Sequence, residues 1–166
     1  MNQIDNSLVR RAVEGDKQAL EDVILSVQGQ VYNLALRMLR LPQDAEDATQ
    51  EILIKVVTHL SEFRGDSAFT TWVYRVASNH LLNTRRRTAE LTNPSFDAMS
   101  EQLEASLTIY EANPSAVVEE KMLVEEVKRS CTLGMLMCLD RDQRLALILG
   151  ELFEVSSEEG AAIMDI

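Results

Sequence analysis

The chain has 166 residues, 46% of them apolar and 26% charged, with a formal net charge of −11. That length holds one domain or two small helical ones, with enough apolar residues for a buried core. An acidic balance of this size argues against a freestanding protein that holds DNA by bulk charge.

Ala, Leu, Val and Glu dominate, Gly and Pro are scarce, and strand-like alternation is hard to find. The expected fold class is therefore all-α. The N-terminus carries Asp5, Arg10 and Arg11 and lacks the apolar run of a secretory leader. The longest apolar candidate for a membrane span, Cys131 to Phe153, is broken by the charged string DRDQR. Cys131 and Cys138 lie one heptad apart, and His59 and His80 are distant from them. That spacing does not match a zinc site, and buried reduced thiols in a reducing cytoplasm fit it.

The distribution of charge says more than its sum. Residues 1–63 carry six basic and ten acidic side chains, residues 64–87 five and one, and residues 88–166 five and sixteen. One positive island sits in an acidic chain. Chance clustering at a helix end would produce it, and so would a phosphate-contacting patch on a protein that relies on a larger partner for most of its DNA affinity.

In chain order, Asn6 or Ser7 can cap a short helix, LVRRAVEG, that Gly15 ends. Asp16 can cap a long helix through Arg40, with Leu20, Val23, Ile24, Val27, Val31, Leu34, Ala35, Met38 and Leu39 as its apolar stripe. Pro42 breaks that pattern. The next helix is expected to begin near Asp44 and run to Phe63, with Asp44, Glu46 and Asp47 at the positive end of its dipole. Ala48, Ile52, Val56 and Leu60 mark its core face. Asp47, Gln50, Glu51, Ile54 and Lys55 lie toward other faces, and Ile54 is an apolar residue left outside the core stripe. A solvated acidic surface accounts for such a face, and so does a docking surface.

The stretch Phe63 to Arg87 reads as a loop followed by a long helix. Phe69, Trp72, Val73, Val76, Ala77, His80 and Leu81 recur at helical spacing and form a core-facing stripe. Arg75, Asn79, Asn83 and Arg86 recur on another face, and Arg85, Arg86 and Arg87 close the helix at the negative end of its dipole. In the loop, Gly65 permits an unusual backbone angle. Thr88 to Asn113, bordered by Pro114, reads as a linker. Ser115 can cap a helix to about Leu139. Asp140 with Gln143 resembles a capping box opening RDQRLALILGELF, and Ser156 with Glu159 repeats that signal before EEGAAIMD. The last two helices look like the start of a helix-turn-helix.

Three strings carry a family resemblance. The pattern F-R-G-x-S-x-F-x-T-W-x-Y-R-x-A-x-N beginning at Phe63 resembles the region of bacterial sigma factors that melts and reads the −10 promoter element, in the extracytoplasmic-function (ECF) group. The pattern D-A-E-D-x-x-Q-E-x-x-x-x-V beginning at Asp44 resembles the sigma segment that binds the clamp helices of the polymerase β′ subunit. The order L-D-R-D-Q-R to I-M, from Leu139 to Met164, resembles the domain that reads the −35 element. Against the family pattern the sequence stops at Ile166, where the turn before the recognition helix is expected. Roughly twenty further residues would complete such a domain. Ile163, Met164 and Ile166 are then expected to be exposed and free to pack on another chain.

The resemblance implies two small helical domains joined by a linker: 1–90 for polymerase binding and −10 recognition, 91–114 as linker, and 115–166 as an incomplete helix-turn-helix. It implies core RNA polymerase and promoter DNA as partners, an anti-sigma factor as a further one, no cofactor and no membrane insertion. Asp44, Asp47, Gln50, Glu51 and Ile54 would face polymerase. Arg64, Gly65, Asp66, Ser67, Phe69, Thr71, Arg75, Asn79, Asn83, Arg86 and Arg87 would face the −10 DNA. Asn83 departs from the acidic residue usual near that position. Phe63, Phe69 and Trp72 suit either the core or a stacking platform, and His80 suits the core.

No catalytic constellation is evident: there is no Gly-rich phosphate loop, nucleophile–His pair or pair of His at ligand spacing. An enzyme is not expected. Promoter melting needs no bond chemistry, because unstacking a base costs a few kcal/mol and aromatic, amide and cationic groups can return it. The rival expectations are a sigma-like regulator that binds polymerase or an anti-sigma factor without initiating, and a helical scaffold with no nucleic-acid role.

Overall fold

The computed structural model describes residues 5–84, 97, 100, 101, 132 and 134–166. The fold is all-α, with no strand among the described residues. It divides into two compact units, one of Met1–Arg85 with Arg141–Ile166 and the other of Arg86–Asp140.

In the first unit, helix α1 spans Asn6–Val13. Its cap is Asp5, one residue ahead of the expected Asn6 or Ser7, and the Asp5 carboxylate accepts from the Ser7 N–H at 2.9 Å. Gly15 follows with φ +98°, the left-handed turn that lets the chain reverse at little steric cost. Helix α2, Lys17–Leu39, is capped by Asp16 as its sequence predicts, with the Ala19 N–H donating to the carboxylate at 3.1 Å. Its buried stripe includes Val23, Val27, Val31, Leu34, Ala35, Met38 and Leu39, while Leu20 and Ile24 are half-buried.

Helix α3 spans Pro42–Thr58. Pro42 opens this helix at its first turn, where a missing N–H costs nothing, so the start lies ahead of the expected Asp44. The helix also ends earlier than expected, and a 3₁₀ turn at Leu60–Glu62 leads into the loop. Ala48, Ile52, Val56 and Leu60 are buried, as the periodicity predicts.

Helix α4, Phe69–Asn83, buries Phe69, Val73, Ala77, His80 and Leu81. Thr70, Thr71, Tyr74 and Ser78 are also buried, a second face outside the predicted stripe. Helix α5, Arg141–Leu147, runs into a π turn at Ile148–Leu152, and helix α6 spans Ser157–Met164. The predicted Ser156–Glu159 capping box is present, with Ser156 Oγ accepting from the Glu159 N–H at 3.3 Å.

The α5–α6 segment packs on α4 and α2. Tyr74 and Phe153 stack at 5.4 Å between ring centroids, and the Arg37 guanidinium lies 5.5 Å from the Phe153 ring. The Arg144 side chain is buried and donates to the Met38 carbonyl. Ile163 is fully buried within this unit, against the expectation that it would be exposed, whereas Ile166 is 86% exposed. In the second unit the half-buried Cys138 thiol donates to the Gly134 carbonyl at 3.5 Å. Cys131, the linker at 102–114 and most of the expected 115–139 helix lie outside the described residues.

Candidate functional site

Two surfaces emerge from the α3–loop–α4 sequence. The first is on α3. Its core positions fix the rotation of the helix, and that rotation turns Asp47, Gln50, Glu51, Ile54 and Lys55 outward. Asp44 is half-buried at the first turn. Ile54 is 62% exposed, an apolar side chain bordered by Gln50, Glu51 and Lys55 on neighbouring turns. Glu51 also reaches inward, with Oε2 at 3.4 Å from Nε2 of the buried His80. That contact ties the acidic face of α3 to the core side of α4.

The second surface is the loop Phe63–Ala68 and the polar stripe of α4. Arg64, Gly65, Asp66 and Ser67 are all exposed. Gly65 has φ +79°, so the turn uses a backbone angle that side-chain-bearing residues resist. Arg75, Asn79 and Asn83 are exposed on one face of α4. Arg75 donates from Nε to the Ala162 carbonyl at 3.0 Å, and Asn83 donates to the Asn79 carbonyl at 2.8 Å. Arg85, Arg86 and Arg87 lie outside the described residues.

Two predicted DNA-facing side chains are not on this surface. Phe69 is 2% exposed and Thr71 is 7% exposed. Phe69 packs edge-on against Phe63 at 5.2 Å and stacks on Trp72 at 5.7 Å, and Phe63 lies 5.8 Å from Trp72. The three rings form a hydrophobic anchor beneath the loop. Phe69 therefore supports the loop from below, because it opens α4 at the point where that helix meets the core.

Sequence reasoning missed a wall of this site. The Asn6–Arg10–Val13 face of α1 lies beside Phe63, Arg64 and Gly65, and the residues between them enclose a cleft of about 330 Å³. A second cleft, about 710 Å³, runs from Asp5 and Asn6 past Gly65 to Thr70. The i, i+4, i+7 spacing of Asn6, Arg10 and Val13 marks that helix face in the sequence, but nothing local tells which loop it meets.

Comparison with known proteins adds an independent line. The Sigma-70 region 2 family model matches residues 23–90. The RNA polymerase sigma-H factor of Pseudomonas aeruginosa is 34% identical over 96% of this chain and 82% of its own length. The ECF RNA polymerase sigma-E factor of Escherichia coli K12 is 35% identical over 97% of this chain and 83% of its own. A solved structure of CnrH in complex with the cytosolic domain of CnrY superposes with a TM-score of 0.64 at 18% identity, covering 98% of this chain and 83% of that one, which is a likeness of fold.

Proposed function

This chain belongs to the ECF group of RNA polymerase sigma factors, and we propose that it binds core polymerase through α3 and opens promoters by reading the −10 element with the loop and α4. The observation that carries the reading is the separation of two exposed surfaces on consecutive elements. One is acidic with a protruding Ile54, and the other combines a left-handed Gly65 turn with an Arg–Asn–Asn stripe.

The α3 surface has the composition of a docking site. An exposed aliphatic side chain supplies area to bury, and Asp47 and Glu51 supply charge that selects a basic counterpart and speeds encounter. The β′ clamp helices are the proposed counterpart. The loop and α4 surface suits single-stranded DNA. Asn79 and Asn83 can hydrogen-bond base edges or sugars, while Arg64 and Arg75 can hold phosphates. With a net charge of −11, the chain would depend on polymerase for most of its affinity for DNA. It would therefore act in the cytoplasm as part of a holoenzyme. CnrH was solved with the cytosolic domain of CnrY, and a regulatory protein partner of this kind is proposed here too.

The test is retention of the chain on bacterial core polymerase, with Asp47→Lys/Glu51→Lys as control, followed by detection of unpaired −10 bases on a promoter. Retention that is lost in the double variant, together with melting by the parent chain, supports the reading. A folded parent chain that is not retained overturns it.

A further inference from the structure

The contact between Glu51 and His80 joins two positions with opposite surroundings. Glu51 stands on the outer face of α3, one turn from both Asp47 and Ile54, with its side chain 55% exposed. His80 stands on the core face of α4, where Phe69, Val73, Ala77 and Leu81 make the stripe otherwise apolar, and its side chain is 5% exposed. Nε2 of the ring lies 3.4 Å from Oε2 of Glu51.

The direction taken by Glu51 is not the one its own helix favours. Lys55 lies one turn further on, and Glu followed by Lys at that spacing is the ordinary surface pair. The Lys55 ammonium nevertheless has no ion-pair or hydrogen-bond partner among the described residues. The carboxylate turns instead to the imidazole across the helix interface. With its proton on Nε2 the ring donates to that oxygen, where water competes less than at the surface. The residue that carries the ring is itself held. Its carbonyl accepts from the Thr84 N–H at 2.9 Å and from Thr84 Oγ1 at 2.6 Å, which closes the last turn of α4. A free glutamate loses rotamer freedom when a partner fixes it, and that loss weakens binding. Fixed through Oε2, the Glu51 carboxylate keeps Oε1 for an incoming donor.

We infer that His80 is a positioning residue for the docking face: from the core of α4 it holds the Glu51 carboxylate in the orientation in which α3 meets a cationic group of core polymerase. This rests on the proposed docking of α3 and adds to it a buried residue that acts on polymerase only through Glu51. The histidine thereby serves the surface of α3 from the interior of the helix bundle.

The experiment measures the dissociation constant of the full chain for bacterial core polymerase in a double-mutant cycle, with urea unfolding of each variant alongside. His80→Leu keeps an apolar side chain in the core and removes the donor. It should weaken binding about fivefold, the scale of one side chain's lost restraint. His80→Gln returns an N–H at a similar reach and should bind within about twofold of the parent. In the Glu51→Ala background, His80→Leu should change binding by less than about twofold, because the contact it removes is already gone. A purely structural role moves both backgrounds alike. Equal weakening by His80→Leu with and without Glu51 therefore overturns the inference, as does binding by His80→Leu that matches the parent, or a loss in His80→Gln as large as that in His80→Leu. Asp47→Lys/Ile54→Lys separates the two levels. If that variant is retained on core polymerase as well as the parent is, the docking reading fails and the role of His80 falls with it. If its retention is lost while His80→Leu binds like the parent, only the role of His80 fails.

Discussion

Phe69 discriminates between two roles for an aromatic residue at the mouth of the helix proposed to read DNA. The perturbation is Phe69→Ala. The side chain is 2% exposed and touches both Phe63 and Trp72. Removing a buried Phe costs about 3–5 kcal/mol through lost transfer energy and the cavity left behind. Each aromatic pair within that sum is worth about 0.5–1.5 kcal/mol. Against a total stability of roughly 5–15 kcal/mol, the loss is large. With a urea m value near about 2 kcal/mol/M, the unfolding midpoint should drop by roughly 1.5–2.5 M. Phe69→Leu keeps most of the volume and should cost about 1.5 kcal/mol or less while sparing promoter opening. The assay is urea unfolding followed by the fluorescence of Trp72, the single tryptophan, with open-complex formation by holoenzyme alongside. If Phe69→Ala changes stability by less than about 1 kcal/mol yet abolishes melting, the ring acts as a base platform and the packing argument is wrong.

Three other outcomes follow from the same geometry. Ile54→Lys should leave stability within about 0.5 kcal/mol, because the side chain is 62% exposed, while weakening retention on core polymerase about tenfold, as loss of a docking anchor would. Hydrogen bonds from the Ser7 hydroxyl and N–H hold Asp5 below the ordinary carboxylate range, and hydrogen bonds from the Ala19 N–H and then Arg11 hold Asp16 there. Folded values below the unfolded ones mean that both caps stabilise fully above the ordinary value of 3.8 and are lost as pH falls below it, so Asp5→Asn/Asp16→Asn should flatten the acid limb of helical circular dichroism. Burial pushes the Tyr74 hydroxyl up, with Arg37 opposing, so Phe153→Ala should bring its ionisation back toward the ordinary tyrosine range in an alkaline absorbance titration.

Much of the first unit was legible because its signals are local. The Asp16 cap, the Ser156–Glu159 capping box and the Ile52–Val56 stripe each depend on residues within one or two turns. Boundaries failed where two local signals compete: Pro42 reads as a breaker from α2 and as an opener from α3, and it acts as the opener. The polar side of α4 was legible as a stripe of exposed Arg75, Asn79 and Asn83. Its second buried face was not, because Thr70, Thr71 and Ser78 carry no apolar periodicity and Tyr74 is covered by Phe153 from a distant segment. The α1 wall escaped notice for the same reason: helical spacing gives the face but not its neighbour.

Arg75 shows how one position can serve both packing and the proposed reading. Its Nε donates to the Ala162 carbonyl of α6, although the residue is exposed. A guanidinium has five N–H donors in a planar fork, so one bond to a helix carbonyl leaves four for another acceptor. That bond restrains the long side chain and reduces the rotamer entropy still to be lost when a phosphate is bound. Asn83 is restrained in the same manner, since its Nδ2 donates to the Asn79 carbonyl one turn back. The stripe on α4 is thus partly organised in the chain by itself. It is organised by two different sources: its own helix at Asn83, and a segment that follows it by more than half the chain at Arg75. Only the second would be released if α6 left α4, while the Asn83 bond would stay set.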